Sequence, residues 1–165
     1  MKKLLLMAIM FVGLVNVQAQ EEEWTKKYYV DDFGDKTTEG YAFKVFSGTF
    51  SNSATTNSLC LYTWAIKANG PTLLIYEYGS SRVTSYRTVS YKVRLKNEKG
   101  DILEVIAHIY ENRDRLQFYP KKGEKIIEFL KKSSIVKVYI KESGSYTSYK
   151  GEFSCVGFTK AYNSL

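Results

Sequence analysis

The stretch Thr88-Val89-Ser90-Tyr91-Lys92-Val93-Arg94-Leu95-Lys96-Asn97-Glu98-Lys99-Gly100-Asp101-Ile102-Leu103-Glu104-Val105-Ile106-Ala107-His108-Ile109-Tyr110 decides the fold class. In its first half Thr88, Ser90, Lys92, Arg94 and Lys96 alternate with Val89, Tyr91, Val93 and Leu95. A period of two marks a strand with one wet face and one buried face. Asn97-Glu98-Lys99-Gly100 reads as a turn, with Gly100 free to take positive φ. The return half sets Leu103, Val105, Ala107 and Ile109 on one face and Glu104, Ile106, His108 and Tyr110 on the other. Together they predict a long antiparallel hairpin, with Val93 and Val105 inward and Lys92 and Arg94 outward.

The same logic extends in both directions. Tyr41 to Phe50 reads as a strand. Leu59–Lys67 and Thr72–Tyr78 read as a hairpin around Asn69-Gly70-Pro71. Arg115–Tyr119 is a short strand, and Ile135–Glu142 with Tyr146–Cys155 forms a third hairpin around Ser143-Gly144-Ser145. Leu59 to Ile66 is apolar on both faces, which predicts a central strand covered on both sides. Two short helices are expected. In one, Glu124–Lys132, Ile126, Ile127, Phe129 and Leu130 share a stripe; at the C-terminus Phe158, Ala161, Tyr162 and Leu165 recur at helical spacing. The expectation is an all-β chain: an antiparallel β-sandwich or partly open barrel of about eight strands with two short helices.

The chain has 165 residues, with 44% apolar and 15% aromatic content, which excludes a disordered chain. Fourteen tyrosines and nine phenylalanines favour strands. Residues 1–19 read as a removable export signal. Lys2 and Lys3 precede the apolar run Leu4–Val15, and Val17 and Ala19 stand at the −3 and −1 places of a cleavage site after Ala19. The run is too short to stay in a membrane as a spanning helix. Residues 20–165 are then a single domain in the periplasm or outside the cell, with no transmembrane segment.

Removing Lys2 and Lys3 from the 24 basic side chains leaves 22 against 17 acidic ones. The excess is uneven. Residues 21–80 hold 5 lysines against 8 carboxylates, and residues 81–165 hold 17 basic against 9 acidic side chains. A basic half can favour anionic polymers or headgroups. Export makes nucleic acid a poor partner, and Lys92, Arg94 and Lys96 are read as a solvated face that discourages edge pairing.

Few residues nominate chemistry. His108 is the only histidine, and no nucleophile elbow accompanies it. One His and two distant Cys do not make a zinc site. Asp31-Asp32-Phe33-Gly34-Asp35 lacks the spacing of a calcium loop and reads as a turn in which Asp35 bonds backbone amides. Glu77 lies in register with Leu73 and Ile75 and so faces inward at a strand end, and a hydrolase would need it to meet a second carboxylate such as Asp35. Cys60 and Cys155 sit in apolar strand patterns; a bridge between them and two buried free thiols are both open. Trp24, Tyr28, Tyr29, Tyr146 and Tyr149 are the candidates for an exposed aromatic platform that stacks on sugar faces.

The opening Trp24…Asp31-Asp32-Phe33-Gly34-Asp35, the stretch Gly48-Thr49-Phe50-Ser51-Asn52-Ser53-Ala54-Thr55 and the ending Gly157-Phe158-Thr159-Lys160-Ala161-Tyr162 resemble small secreted β-sandwich proteins of Gram-negative gut-type bacteria. The resemblance implies an exported all-β domain and carries over no catalytic residue. The expected function is a non-enzymatic binding or structural domain that holds an envelope component, without cofactor or metal. The alternative is a carbohydrate-binding module using the five aromatics. A carboxylate-dependent hydrolase stands third.

Overall fold

The central hairpin forms in the expected register. The computed structural model describes residues 23–165, so the expected signal at 1–19 lies outside the described residues. Strand β6 (Val89–Asn97) pairs with β7 (Ile102–Ile109), Val93 opposite Val105 and Leu95 opposite Leu103. Val93, Leu95, Val105 and Ala107 are buried, while Lys92, Arg94 and Lys96 are exposed. The turn is held by the Asn97 side chain, whose Oδ1 accepts from the amides of Lys99 at 3.1 Å and Asp101 at 2.9 Å.

Eight strands continue this pattern into a closed antiparallel barrel. They are β2 (Lys36–Ser51), β3 (Ser58–Lys67), β4 (Gly70–Glu77), β6, β7, β8 (Leu116–Phe118), β9 (Ile135–Glu142) and β10 (Ser148–Ser154). The order around the wall is β2-β10-β9-β6-β7-β8-β4-β3, and β3 pairs back onto β2. The sandwich or partly open barrel expected from the pattern is therefore corrected to a closed one. Closure depends on β2, whose 16 residues hold β3 along Ala42–Phe50 on one edge and β10 along Gly48–Ser51 on the other. A closed wall leaves no edge within it to pair with another chain.

Two short strands extend the eight. β1 (Thr25–Val30) takes the first half of the β2 edge that β10 leaves free, and β5 (Ser81–Arg82) pairs with the end of β4 beyond β8. The expectation that β3 is covered on both faces is also corrected. Cys60, Tyr62, Trp64 and Ile66 are buried, but Leu59 is 64% exposed and Leu61, Thr63 and Ala65 are half-buried. A barrel wall buries one face of each strand, however central the strand is.

Aromatic rings fill the interior. Phe46 stacks on Tyr62 at 4.6 Å between centroids, and Phe153 lies 4.6 Å from Phe46. The wall is drawn in where Gly48 of β2 stands opposite Gly151 of β10. A Cβ at Gly48 would lie 2.1 Å from the Lys150 carbonyl and 2.7 Å from the Tyr62 ring; one at Gly151 would lie 2.9 Å from the Phe46 ring. Only glycine permits that approach. Lys44 also faces inward, 1% exposed, paired across the ladder with Trp64.

One end of the barrel is covered by helix. α1 (Pro120–Lys131) starts with Pro at its first turn, where a missing N–H is no loss. Ile126, Ile127 and Leu130 are buried, and Gly123 brings the helix close to Pro71, at the start of β4. α2 (Phe158–Asn163) buries Phe158 and Ala161. The Phe158 ring meets Trp24 at 4.8 Å, and Trp24 Nε1 donates to the Ser154 carbonyl at 3.1 Å. Leu165, expected on the helical stripe, lies past the helix end and is exposed.

Candidate functional site

The five aromatics nominated for a sugar platform are not brought together. Trp24 is 4% exposed and Tyr149 1% exposed, so both are core residues rather than platform residues. Tyr28 and Tyr29 lie on β1, where Tyr29 packs on Tyr41 and takes the Lys67 ammonium over its ring at 4.4 Å. Tyr146 is 88% exposed in the β9–β10 turn, at the opposite end of the barrel. The reason is geometric: strand parity turns Tyr149 to the same inner face as Phe153, where it packs near Phe50, and the indole of Trp24 seals the end of β10.

The remaining nominations also resolve. Cys60 and Cys155 are both buried free thiols. Cys60 shares a rung with Gly48, and Gly48 with Gly151, which puts Cys155 four residues further along the barrel, roughly 13 Å away along the strand direction. The bridge is therefore not formed. Burial, first of all, pushes the Cys60 thiol up to about 11 and the Cys155 thiol up to about 12. In the Asp31–Asp35 turn the bonding carboxylate is that of Asp31, not Asp35. Asp31 Oδ1 accepts from the amides of Phe33 and Asp35, each at 2.9 Å. This turn precedes β2 and Glu77 ends β4, so the length of β2 separates Asp35 from Glu77. His108 is half-buried on the outer face of β7, 3.2 Å from Ser90 Oγ. Among the described residues, no three His, Cys, Asp or Glu side chains are gathered to hold a metal ion.

Barrel closure assembles a basic surface on the outside of β6, β9 and β10. Across the ladders Lys92 stands opposite Lys141, Arg94 opposite Tyr139, and Lys96 opposite Lys137. On the far edge of β9, Tyr139 faces Lys150 and Lys137 faces Glu152. Six cations thus surround one tyrosine ring. Glu104 bonds Lys92 at 3.0 Å and Arg94 at 3.6 Å, and Glu152 bonds Lys137 at 3.6 Å. Lys96, Lys141 and Lys150 make no salt bridge among the described residues. Like charges directly opposite on neighbouring strands are destabilising. The dent at Gly48 and Gly151 floors a groove of about 710 Å³ in this face, lined by Arg94, Lys96, Lys137, Tyr139, Lys150 and Glu152 among others. Sequence parity places Lys92, Arg94 and Lys96 on one face; the neighbourhood of β9 and β10 comes from long-range pairing.

The end of the barrel away from α1 opens on a cavity of about 350 Å³. Glu77, inward as its register with Leu73 and Ile75 requires, accepts a 2.8 Å hydrogen bond from the buried Tyr149 hydroxyl. Glu142, from the end of β9, lines the same cavity, as do Tyr91, Asn52 and Thr147. Burial above all, then the charge of Glu77, pushes the Tyr149 phenol far up. Burial followed by the charges of Glu142 and Glu77 does the same to Tyr91. Both therefore remain neutral hydroxyls. Tyr91 is 2% exposed, and its hydroxyl makes no hydrogen bond among the described residues. That hydroxyl opens on the cavity; among the described residues the buried side-chain polar atom left without a partner is Trp64 Nε1. Nothing in the sequence nominates Glu142, which lies far along the chain from Glu77.

Comparison with protein-family models, with curated proteins and with solved structures finds no match for the chain.

Proposed function

We propose that the protein is an exported, non-enzymatic binding domain, working in the periplasm or outside the cell. Its binding surface is the basic outer face of β6, β9 and β10, and its partner is an anionic polysaccharide of the envelope. The observation that carries this reading is the cross-strand pairing of like charges, Lys92 with Lys141 and Lys96 with Lys137. An anionic partner would relieve that repulsion. The cations are spread over three strands about 5 Å apart, with about 7 Å between successive outward residues on a strand. That spacing suits a chain of charges better than one small anion. Tyr139, between Arg94 and Lys150, offers an aromatic face to sugar C–H groups.

Binding to dextran sulfate and to neutral dextran at several salt concentrations tests this. The sulfated polymer should bind, with affinity falling as salt screens the face, and the neutral one should not. The double variant Lys96→Glu and Lys137→Glu, folded by circular dichroism, should lose roughly tenfold or more in affinity, about 1.4 kcal/mol per factor of ten. Equal binding of neutral dextran would overturn the reading. So would an unaffected double variant, or capture of anionic lipid vesicles with no response to the sulfated polymer.

A further inference from the structure

The barrel mouth is a second site, separate in place and in charge from the basic face. Its walls are set by strand ends that meet only in the closed barrel: Glu77 from β4, Tyr91 from β6, Glu142 from β9 and Tyr149 from β10. The Tyr149 hydroxyl donates to Glu77 Oε1 at 2.8 Å and so fixes that carboxylate. Neither Glu77 nor Glu142 makes a salt bridge among the described residues. The one cation lining the cavity, Arg82, is engaged elsewhere. Its Nη1 donates to Asp114 at 2.8 Å, and its guanidinium lies 5.6 Å from the centre of the Tyr76 ring. The mouth therefore carries negative charge that no side chain of the wall neutralises. The Tyr91 hydroxyl, at the end of a side chain that is almost wholly buried, adds an oxygen whose hydrogen-bonding capacity is unused.

We propose that this mouth binds a small organic molecule carrying a primary ammonium, seated against Glu77 and Glu142 with the Tyr91 oxygen as a further acceptor. An ammonium has three donors and no acceptor, which suits a set of acceptor oxygens. Charged hydrogen bonds to carboxylates are the strong ones. The Asn52 amide and the Thr147 hydroxyl at the rim can meet hydroxyls on the rest of the ligand. A cavity of about 350 Å³ suits a ligand the size of an amino sugar. A bare metal ion fits less well, because three carboxylate, His or Cys ligands are not gathered there.

Isothermal titration calorimetry with glucosamine, N-acetylglucosamine, glucose, ethanolamine and putrescine tests the proposal. Glucosamine or another amine should bind; N-acetylglucosamine, whose nitrogen is neutral, and glucose should not. Glu142→Gln should weaken amine binding by roughly tenfold or more, and Tyr91→Phe by several-fold. Tyr91→Phe keeps the ring in the core, and Glu142→Gln, at a half-buried rim position, covers the case in which it does not fold. The Lys96→Glu, Lys137→Glu double variant should bind amines as the wild type does, so a failure of the polysaccharide reading leaves this result readable. Equal binding of glucose or N-acetylglucosamine would overturn the proposal. Silence of all three amines would do so too, as would wild-type affinity in folded Glu142→Gln.

Discussion

Cys60 and Cys155 show how burial governs single-residue chemistry in this chain. Each thiol lies inside the wall, and desolvation holds it protonated well past the range in which an exposed thiol ionises. A thiolate-specific reagent such as Ellman's should therefore find almost no reactive thiol in the folded protein at pH 8. Under the same conditions in denaturant it should find two per chain; finding none there would restore the disulfide. The same groups shape the alkaline limit. In the unfolded chain both thiols ionise from about pH 8.5, while in the folded protein they hold until about 11 and 12. Their folded values are raised, so their contribution is complete below about pH 8.5. It is lost as pH climbs toward 11 and 12. Urea midpoints should fall through that window, and Cys60→Ala should flatten part of the fall. Lys44, which lowers Cys155 through its charge, is a minor influence beside burial.

The strand is the unit at which register has consequences. In β6 and β7, Val105 is 2% exposed and Lys92 stands outside, ion-paired with Glu104. Val105→Asp puts an unpaired charge among Val93, Leu95 and Ala107, at a cost of about 3–5 kcal/mol. Lys92→Asp loses an exposed ion pair worth little, and it removes the repulsion from Lys141; its effect should lie within about 0.5 kcal/mol. Denaturant melts of both variants check the pairing. The reverse order would mean a one-residue slip, which would turn every side chain of the hairpin to the other face. The turn of this hairpin is also tied to β9. Glu98 Oε2 accepts from the amides of Ser134 at 3.0 Å and Ile135 at 3.3 Å. Hydrogen bonds from its own backbone amide and from Ser134 hold that carboxyl below its usual range.

For the whole molecule, closure of the barrel is the decisive event, and Gly48 with Gly151 is its tightest point. Gly48→Ala drives a methyl group into the Lys150 carbonyl, which belongs to the neighbouring strand and cannot rotate away. The expected loss is about 2–3 kcal/mol or more, read as a lower urea midpoint with an unchanged slope. Gly100→Ala is a useful contrast. Nothing lies within 4 Å of the added Cβ there, so only its positive φ of 91° is strained, a cost of about 1–2 kcal/mol. Near-wild-type stability in Gly48→Ala would mean that β2 and β10 do not approach as closely as described. The same closure sorts the charge. It gathers Lys92, Lys96, Lys137 and Lys141 on the outer wall and leaves Glu77 and Glu142 at the open end. One small domain thereby presents two chemically opposite surfaces.

Much of this was written locally. Period two in Thr88–Tyr110 carries its own register, because alternation leaves a strand one way to bury valines and wet lysines. The eight strands of the barrel and the inward turn of Glu77 were legible on that basis, and the two helices from apolar residues recurring at helical spacing. The parity that sends Phe153 inward also sends Tyr149 inward, so a signal for its burial was present beside its aromatic character. β1 was not legible: Lys26, Lys27, Tyr28 and Tyr29 show no alternation, since the strand lies outside the barrel proper and buries neither face fully. Closure was not legible either, because a sandwich and a barrel bury alternate residues alike. It depends on which distant strands pair, and so do its consequences. Trp24 becomes a seal on β10, Cys60 and Cys155 are held apart, Lys92 meets Lys141, and Glu142 joins Glu77. Each of these joins residues far apart in the chain, where local alternation carries no information about neighbours.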